Sequence, residues 1–128
     1  MKSLITILFL HFGLFTIAQK KSEIDYGSNF TAGNYKQING INIYYEIYGT
    51  GKPLIFLHGN GGSIRSSRAK IEYFKKYFKV IAIDSRGHGK SIDTTSKQLT
   101  YVQMANDIKV LLDSLKMHLF RDKVMEVF

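Results

Sequence analysis

Residues 80–91, with the sequence VIAIDSRGHGKS, join four consecutive apolar residues to a polar loop that contains two glycines. Residues 54–63, LIFLHGNGGS, repeat this arrangement earlier in the chain. A short run that is apolar at every position is typical of a strand covered on both faces. The two stretches therefore predict two buried strands, each followed by a loop that contains glycine.

A hairpin is predicted before the first of these strands. The dipeptide Asn39-Gly40 suits a type I′ turn, because both of its central residues need positive φ angles. After it, residues 41–48 alternate in polarity, as a half-buried strand does.

Two helices are predicted from the spacing of apolar residues. Between the buried strands, Ile71, Phe74 and Phe78 recur at helical intervals. The second helix begins with a capping box formed by Thr100 and Gln103. Its expected buried stripe is Met104, Ile108, Leu111, Leu112 and Leu115. A hairpin followed by strand-helix-strand-helix predicts an α/β fold with a mostly parallel sheet.

The loop HGNGGS at residues 58–63 has the composition of a backbone anion site, since glycines let N–H groups approach a ligand closely. Such a loop serves either as an oxyanion hole or as a cradle for a dinucleotide phosphate. The dinucleotide fingerprint requires a third glycine where Ile64 stands. Asp84, however, ends the next strand, where a ribose-binding acid would lie, so both interpretations remain open at this point.

Taken together, the two loops resemble the α/β-hydrolase family, which carries H-G-x-G after its third strand and D-x-R-G-x-G-x-S after its fourth. Residues 58–61 and 84–91 match these motifs in the expected order, with one helix between them and a hairpin before them. The resemblance covers residues 38–116 and implies the N-terminal half of an α/β-hydrolase sheet. It also implies serine-dependent hydrolysis of esters, lactones or similar small acyl substrates, with no cofactor and no metal.

By this resemblance, the backbone N–H of Asn60 or Gly61 would supply half of an oxyanion hole. His58, His88 and Asp84 are residue types found in catalytic triads. In the family, however, the nucleophile, the acid and the His all follow these motifs, in that order. The remaining motif residues are therefore expected to brace the two turns: His58, Gly59, Gly62, Asp84, Arg86, Gly87, His88, Gly89 and Ser91.

The family's nucleophile elbow, G-x-S-x-G, does not occur in the 128 residues. The resemblance places it on a strand just after the second helix, where residues 117–128 instead carry the charged run Arg121-Asp122-Lys123. Read from the third base of each codon, this tail can encode Ala-Phe-Ile-x-Gly-Gln-Ser-Asp-Gly-Gly. We therefore expect a chain truncated or frameshifted before its elbow and itself inactive. The alternative is a non-catalytic exported binding domain or degenerate domain.

The N-terminus predicts export. Residues 1–19 combine Lys2, an apolar run and the small residues Thr16 and Ala18 before a cleavage site, which is the pattern of a signal peptide. The apolar run is shorter than the ~20 residues that span a bilayer, so no stable membrane span is expected after cleavage. Residues 20–37 are polar and without periodicity, and predict a linker or loose arm.

Composition and charge limit the kinds of partner and chemistry that the chain can have. The net charge is +8, but most lysines are scattered, and the cluster of Lys75, Lys76 and Lys79 is expected on a solvated helix face rather than on nucleic acid. The absence of cysteine excludes disulfides and thiol catalysis, and the four histidines lack the spacing of a metal site. In the family the strand at residues 54–57 pairs with the elbow strand, so self-association through an unpaired apolar edge is also expected.

Overall fold

The computed structural model describes residues 23–95 and 98–117. The predicted signal peptide and residues 118–128 of the tail lie outside these ranges. The elements, in chain order, are β1 (Gly33–Ile38), β2 (Ile41–Tyr48), β3 (Pro53–Leu57), a 3-10 turn (Ile64–Ser67), α1 (Arg68–Phe74), β4 (Lys79–Ile83) and α2 (Tyr101–Ser114).

The described strands form one sheet in the order β1-β2-β4-β3. Strands β3 and β4 are parallel, with Leu54 opposite Val80, which confirms the two predicted buried strands. Strand β2 runs antiparallel to both β1 and β4. The α/β class is therefore confirmed, but the expectation of a mostly parallel sheet is wrong for the described strands, because β2 joins the parallel pair in the opposite direction.

The predicted hairpin turn is confirmed, since Asn39 and Gly40 have φ angles of 45° and 86°. The expectation of a loose arm is wrong for residues 33–37, which pair with β2 along their whole length. Strand β1 lies at the edge of the sheet and is exposed at most positions. A strand that buries so few side chains does not require apolar residues at alternate positions. Its sequence therefore shows no alternation of apolar and polar residues that would predict a strand.

Residues before β1 are also tied to the sheet, through the buried carboxylate of Glu46. This carboxylate accepts hydrogen bonds from the backbone N–H groups of Gly27 and Asn29, at 2.9 and 3.0 Å. The hydroxyls of Tyr44 and Tyr48 donate to the same carboxylate, at 2.7 and 2.8 Å. Burial and the hydrogen bond to Glu46 both raise the pKa of each tyrosine. The segment at residues 25–29 is thus part of the folded unit.

The two helices cover opposite faces of the sheet. Helix α1 packs through Ile71 against the face of β4 that carries Val80 and Ala82. Helix α2 packs against the other face, which carries Ile81 and Ile83. The buried residues that α2 adds to this second cluster are Ile108, Leu111 and Leu112. The alternate side chains of β4 are therefore covered on both sides, as its uniformly apolar sequence predicted.

Both helices differ in detail from the periodicity. Helix α1 ends at Phe74, so Phe78 lies beyond it, although Phe78 still packs against the same cluster. At the start of α2, Thr100 Oγ accepts from the N–H of Gln103 at 3.1 Å, which is half of the predicted capping box. The Gln103 side chain instead donates to Asp107, at 3.0 Å. Within residues 23–95 and 98–117, no helix has the length and apolarity needed to cross a bilayer.

Candidate functional site

The two glycine-containing loops meet at one edge of the sheet, because β3 and β4 are parallel and each loop follows a carboxyl end. The N–H of Ser85 donates to His58 Nε2 at 3.0 Å, and the N–H of Ile64 donates to Asp84 Oδ1 at 2.7 Å. This is the edge at which α/β proteins assemble their binding sites. The two motifs therefore lie side by side at this edge.

Asp84 is the buried centre of this arrangement, with 1% of its surface exposed. Its second carboxylate oxygen accepts from the N–H of Lys90 at 2.8 Å, so the two oxygens hold the two loops together. A Cβ atom at Gly89 would lie 2.1 Å from Asp84 Oδ2, which explains the glycine at that position. The dinucleotide-binding interpretation requires a carboxylate that can bind a ribose hydroxyl. The Asp84 carboxylate is not available for this, because it is buried and already hydrogen-bonded.

Ser91 closes the second loop onto the sheet. Its hydroxyl donates to the carbonyl of Asp84 at 2.6 Å and accepts from the N–H of Tyr44 at 2.8 Å. The serine is fully buried, so it has no access to a substrate. Its position shows why the motif ends in a small hydroxyl residue, which fits into the end of the β2–β4 ladder.

His58 uses both ring nitrogens within the two loops. Nε2 accepts from Ser85, which leaves Nδ1 to donate to the carbonyl of Gly59 at 2.8 Å, as in a neutral imidazole. The ring of His88 lies 5.0 Å from that of His58, and its Nδ1 is 3.0 Å from the carbonyl of Arg86. Neither histidine hydrogen-bonds the Asp84 carboxylate, so the described geometry contains no triad.

Arg86 is buried and joins the second loop to the hairpin and to α2. Its guanidinium donates to both oxygens of Asp107, at 2.6 and 3.1 Å, and to the carbonyl of Asn39 at 3.0 Å. A further contact reaches Asp93 Oδ2 at 3.3 Å. Hydrogen bonds to Asp107 raise the pKa of Arg86, and so does the negative charge of Asp107, whereas burial acts to lower it.

Asp107 was not singled out from the sequence, although it is fully buried. Burial alone would raise the pKa of its carboxyl, but hydrogen bonds from Arg86, Asn39 and Gln103 hold that pKa below its ordinary value. One signal in the sequence could have revealed this residue. Asp107 stands three residues after Met104 and immediately before Ile108, on the apolar stripe of α2, where an unpaired carboxylate would be costly.

Asn60 and Gly61 lie at the exposed tip of the first loop. The loop is closed by a hydrogen bond from the N–H of Gly62 to the carbonyl of Gly59, at 3.0 Å. Over residues 23–95 and 98–117, neither the N–H of Asn60 nor that of Gly61 donates a hydrogen bond. Gly61 has a φ of 73°, a conformation that favours glycine. The loop therefore presents two unused backbone donors.

The glycines of the motifs differ in what they allow. A Cβ at Gly62 would lie 3.0 Å from Ser66 Oγ, and a Cβ at Gly87 would lie 2.9 Å from Leu99 Cδ1. Gly59 and Gly61 face open space. Among the described residues, no cluster of three or more His, Asp or Glu side chains is arranged to hold a metal ion.

Comparison with known proteins agrees with this architecture. An (E)-2-((N-methylformamido)methylene)succinate hydrolase of Acinetobacter baylyi is 40% identical over 53 residues, which cover 41% of this chain and 20% of the relative. The sn-1-specific diacylglycerol lipase ABHD11 of Danio rerio is 40% identical over 80 residues, which cover 59% of this chain and 25% of the relative. The solved structure of Est816, an N-acyl homoserine lactone degrading enzyme, matches with a TM-score of 0.60 and 34% identity over 65% of this chain and 32% of that one.

The chain spans between 20% and 32% of the length of these and similar curated relatives. The family described as alpha/beta hydrolase fold matches residues 52–120, which is more than half of the chain. That range contains both loops, the two parallel strands and both helices. The chain therefore belongs to the α/β-hydrolase fold family.

Proposed function

We propose that this chain is the N-terminal part of a serine-dependent hydrolase of esters, lactones or similar small acyl substrates. The observation that carries the proposal is the exposed loop tip at Asn60 and Gly61, whose two N–H groups are unused. Donors of this kind, fixed before the substrate arrives, stabilise the negative charge that develops on a carbonyl oxygen during acyl transfer. The lipase and the lactone-degrading enzyme described above act on substrates of this class.

Rigidity of the loop supports the same role. The loop is anchored at His58 by Ser85 and at Ile64 by Asp84, so its two ends are held by the neighbouring loop. A donor that does not have to reorganise during the reaction contributes more to catalysis than a mobile one. His58 and Asp84 are accordingly positioning residues rather than catalytic residues.

In the proposed reaction, a serine on a strand beyond α2 attacks the substrate carbonyl carbon, and a histidine takes the proton from its hydroxyl. The carbonyl oxygen becomes an oxyanion, held by the N–H of Asn60 or Gly61 and by the N–H that follows the nucleophile. Collapse of this intermediate expels the leaving group, which receives the proton from the histidine. Water then hydrolyses the acyl-enzyme by the same steps, and an Asp or Glu orients the histidine throughout.

The 128-residue chain by itself is proposed to be inactive, because none of its described histidines or serines forms a nucleophile–base pair near the loop tip. The other candidate is a non-catalytic exported binding domain. A fluorophosphonate probe separates the two, because it labels only a protein that contains an activated serine. Export through residues 1–19 also remains part of the proposal, and N-terminal sequencing of the secreted chain would test it.

The oxyanion role of the loop tip is tested in the protein extended through the downstream DNA. Asn60→Pro removes the backbone N–H, whereas the matched variant Asn60→Ala keeps it. If Asn60 is the donor, we expect Asn60→Pro to lower kcat by roughly 10²–10³-fold, as loss of one oxyanion donor does. Asn60→Ala should stay close to wild type. Equal activity of the two variants would exclude Asn60 as the donor. Gly61→Ala then tests Gly61, because alanine is strained at the positive φ of this position and displaces the N–H. A loss of kcat in Gly61→Ala would assign the donor to Gly61, and an unchanged kcat would refute the role of the loop.

A further inference from the structure

The outward surface of α1 and of the turn that follows it is both basic and aromatic. Residues 68–79, RAKIEYFKKYFK, contain five cations and a single carboxylate, Glu72. That carboxylate is engaged by Lys75 at 2.7 Å. The side chain of Lys75 is only 21% exposed, and Lys79 is the half-buried first residue of β4, so the expectation of a solvated helix face is wrong for both lysines. The positive charge at the surface therefore comes from their neighbours.

Two tyrosines stand in the middle of this surface. Tyr73 and Tyr77 are 57% and 62% exposed, and their ring centroids lie 5.6 Å apart. Lys76, which precedes Tyr77 in the turn after α1, is exposed as well. Tyr73 follows Ile71 by two positions within α1, so it points away from the core side that Ile71 occupies, whereas Lys76 and Tyr77 belong to the turn.

The same surface continues to the amino ends of β3 and β4. The N–H of Lys79 donates to the carbonyl of Lys52 at 2.9 Å, which places Lys52 next to the segment that follows α1. A Cβ atom at Gly51, the residue before Lys52, would lie 3.7 Å from the carbonyl oxygen of Tyr77. We call Lys52, Tyr73, Lys76 and Tyr77 the basic–aromatic patch. It lies at the opposite end of the parallel strands from the loops that carry His58 and Asp84.

We propose that the basic–aromatic patch binds the surface of a membrane that contains anionic phospholipid. Lysines near such a surface are attracted by its negative potential, and their alkyl stems let the amines reach the headgroups. Tyrosine rings are amphipathic and favour the boundary between headgroups and acyl chains. The binding is peripheral, and because the patch and the candidate site lie at opposite ends of β3 and β4, it leaves the loops free.

Ring geometry favours a membrane over a single-stranded nucleic acid as the partner. Binding of successive bases uses aromatic side chains as flat stacking platforms. The planes of Tyr73 and Tyr77 are instead inclined at 54° to each other, so the pair offers no continuous platform. Two tilted phenol rings beside lysines can still enter a headgroup layer, which imposes no stacking geometry.

Vesicle flotation with the full 128-residue chain tests this proposal. Vesicles of phosphatidylcholine alone are compared with equimolar phosphatidylcholine and phosphatidylglycerol, and aggregated protein stays at the bottom of the gradient. Any contribution of the apolar N-terminus is common to every variant. We expect preferential binding to the anionic vesicles, weakened at about 0.5 M salt, where charges are strongly screened.

The variant Lys52→Gln/Lys76→Gln should bind anionic vesicles about 25-fold more weakly, from about fivefold for each lysine near the surface. Tyr73→Ser/Tyr77→Ser should also weaken binding, whereas Lys36→Gln/Lys109→Gln, which removes the same charge elsewhere, should leave it near wild type. Circular dichroism checks that each variant folds. The proposal would be overturned by equal binding to both vesicle types or by equal effects of the two lysine pairs. It would also be overturned by binding to duplex DNA in the absence of vesicle binding.

Discussion

At the scale of single residues, Gly89 shows most directly how the motif after β4 is built. Its backbone turns with a φ of 50° and brings the N–H of Lys90 onto the Asp84 carboxylate. The carboxylate occupies the space that a side chain at position 89 would need. The identity of this residue therefore depends on a contact as well as on backbone conformation.

We predict that Gly89→Ala lowers the free energy of unfolding by about 3 kcal/mol, in urea titrations followed by circular dichroism at one low protein concentration. A non-glycine residue in the left-handed region costs ~1–2 kcal/mol, and displacement of Asp84 adds to this. Gly40→Ala is the matched control, because Gly40 also has a positive φ but no atom within 4 Å of the added methyl. A loss at Gly89 no larger than that at Gly40 would contradict the role given to Asp84.

Asp107 carries a second prediction at this scale. We expect Asp107→Asn to lower the free energy of unfolding by about 3 kcal/mol, since it leaves the buried Arg86 without its principal counter-charge. Asp113→Asn, on the same helix, breaks an exposed pair with Lys109 and should cost at most ~0.5 kcal/mol. Similar losses for the two variants would show that the buried network contributes no more than a surface ion pair.

The acid stability of the chain should reflect the same network. Hydrogen bonds, mainly from Thr95, lower the pKa of Asp93. Burial acts to raise the pKa of Asp107, but hydrogen bonds from Arg86, Asn39 and Gln103 outweigh it and lower that pKa. The stability that these carboxylates contribute is present above the unfolded pKa of ~4 and is lost as the pH falls through the lower folded values. Urea titrations between pH 7 and about pH 3 should show this decline, and Asp107→Asn should flatten it. An unchanged slope in the variant would exclude Asp107 as a source.

At the scale of elements, the sequence predicted those that have an apolar signature. Strands β3 and β4 are covered on both faces, or nearly so, and the turn at Asn39-Gly40 has a specific requirement for positive φ. Strand β1 escaped prediction because it lies at an edge and is stabilised by backbone hydrogen bonds to β2, which leave no pattern in its side chains.

The sequence predicts the site loops but not the contacts that hold them. The motifs identified Asp84, Arg86 and Ser91, because their order is distinctive. Their partners Tyr44 and Asp107 lie 40 residues before and 23 residues after Asp84 in the numbering, and only the fold brings them together. The spacing of Ile71, Phe74 and Phe78 predicts a helix as far as Phe78, although α1 ends at Phe74. An aromatic residue that follows a helix closely can continue the helical spacing without being part of the helix.

At the scale of the whole molecule, β3 is an edge strand within the described residues, and its five residues carry no charge. Unpaired apolar edges favour association with other strands. We predict that the chain is oligomeric or insoluble, with a weight-average mass in sedimentation experiments that rises with concentration.

A charge on this edge should oppose the association. Ile55→Lys, in the centre of β3, is expected to shift the population toward monomer. Because Ile55 also packs against the cluster under α2, circular dichroism must show that this variant folds. Asn34→Lys adds the same charge on the opposite edge, in β1, and should leave association unchanged. A wild-type chain that stays monomeric as its concentration rises would contradict the prediction, as would an equal response of the two variants.

Esterase activity with p-nitrophenyl acetate tests whether the chain carries one half of the oxyanion hole of a serine hydrolase. The 128-residue chain should hydrolyse this ester no faster than a denatured control, because loss of a triad nucleophile alone costs on the order of 10⁶ in turnover. The product of the same gene, with its frame corrected near codon 116, should gain activity, and changing its elbow serine to alanine should abolish that gain. Serine-independent hydrolysis by the short chain would contradict the proposed oxyanion role. Downstream DNA that encodes no Asp or Glu and no His after an elbow in any frame would contradict it as well.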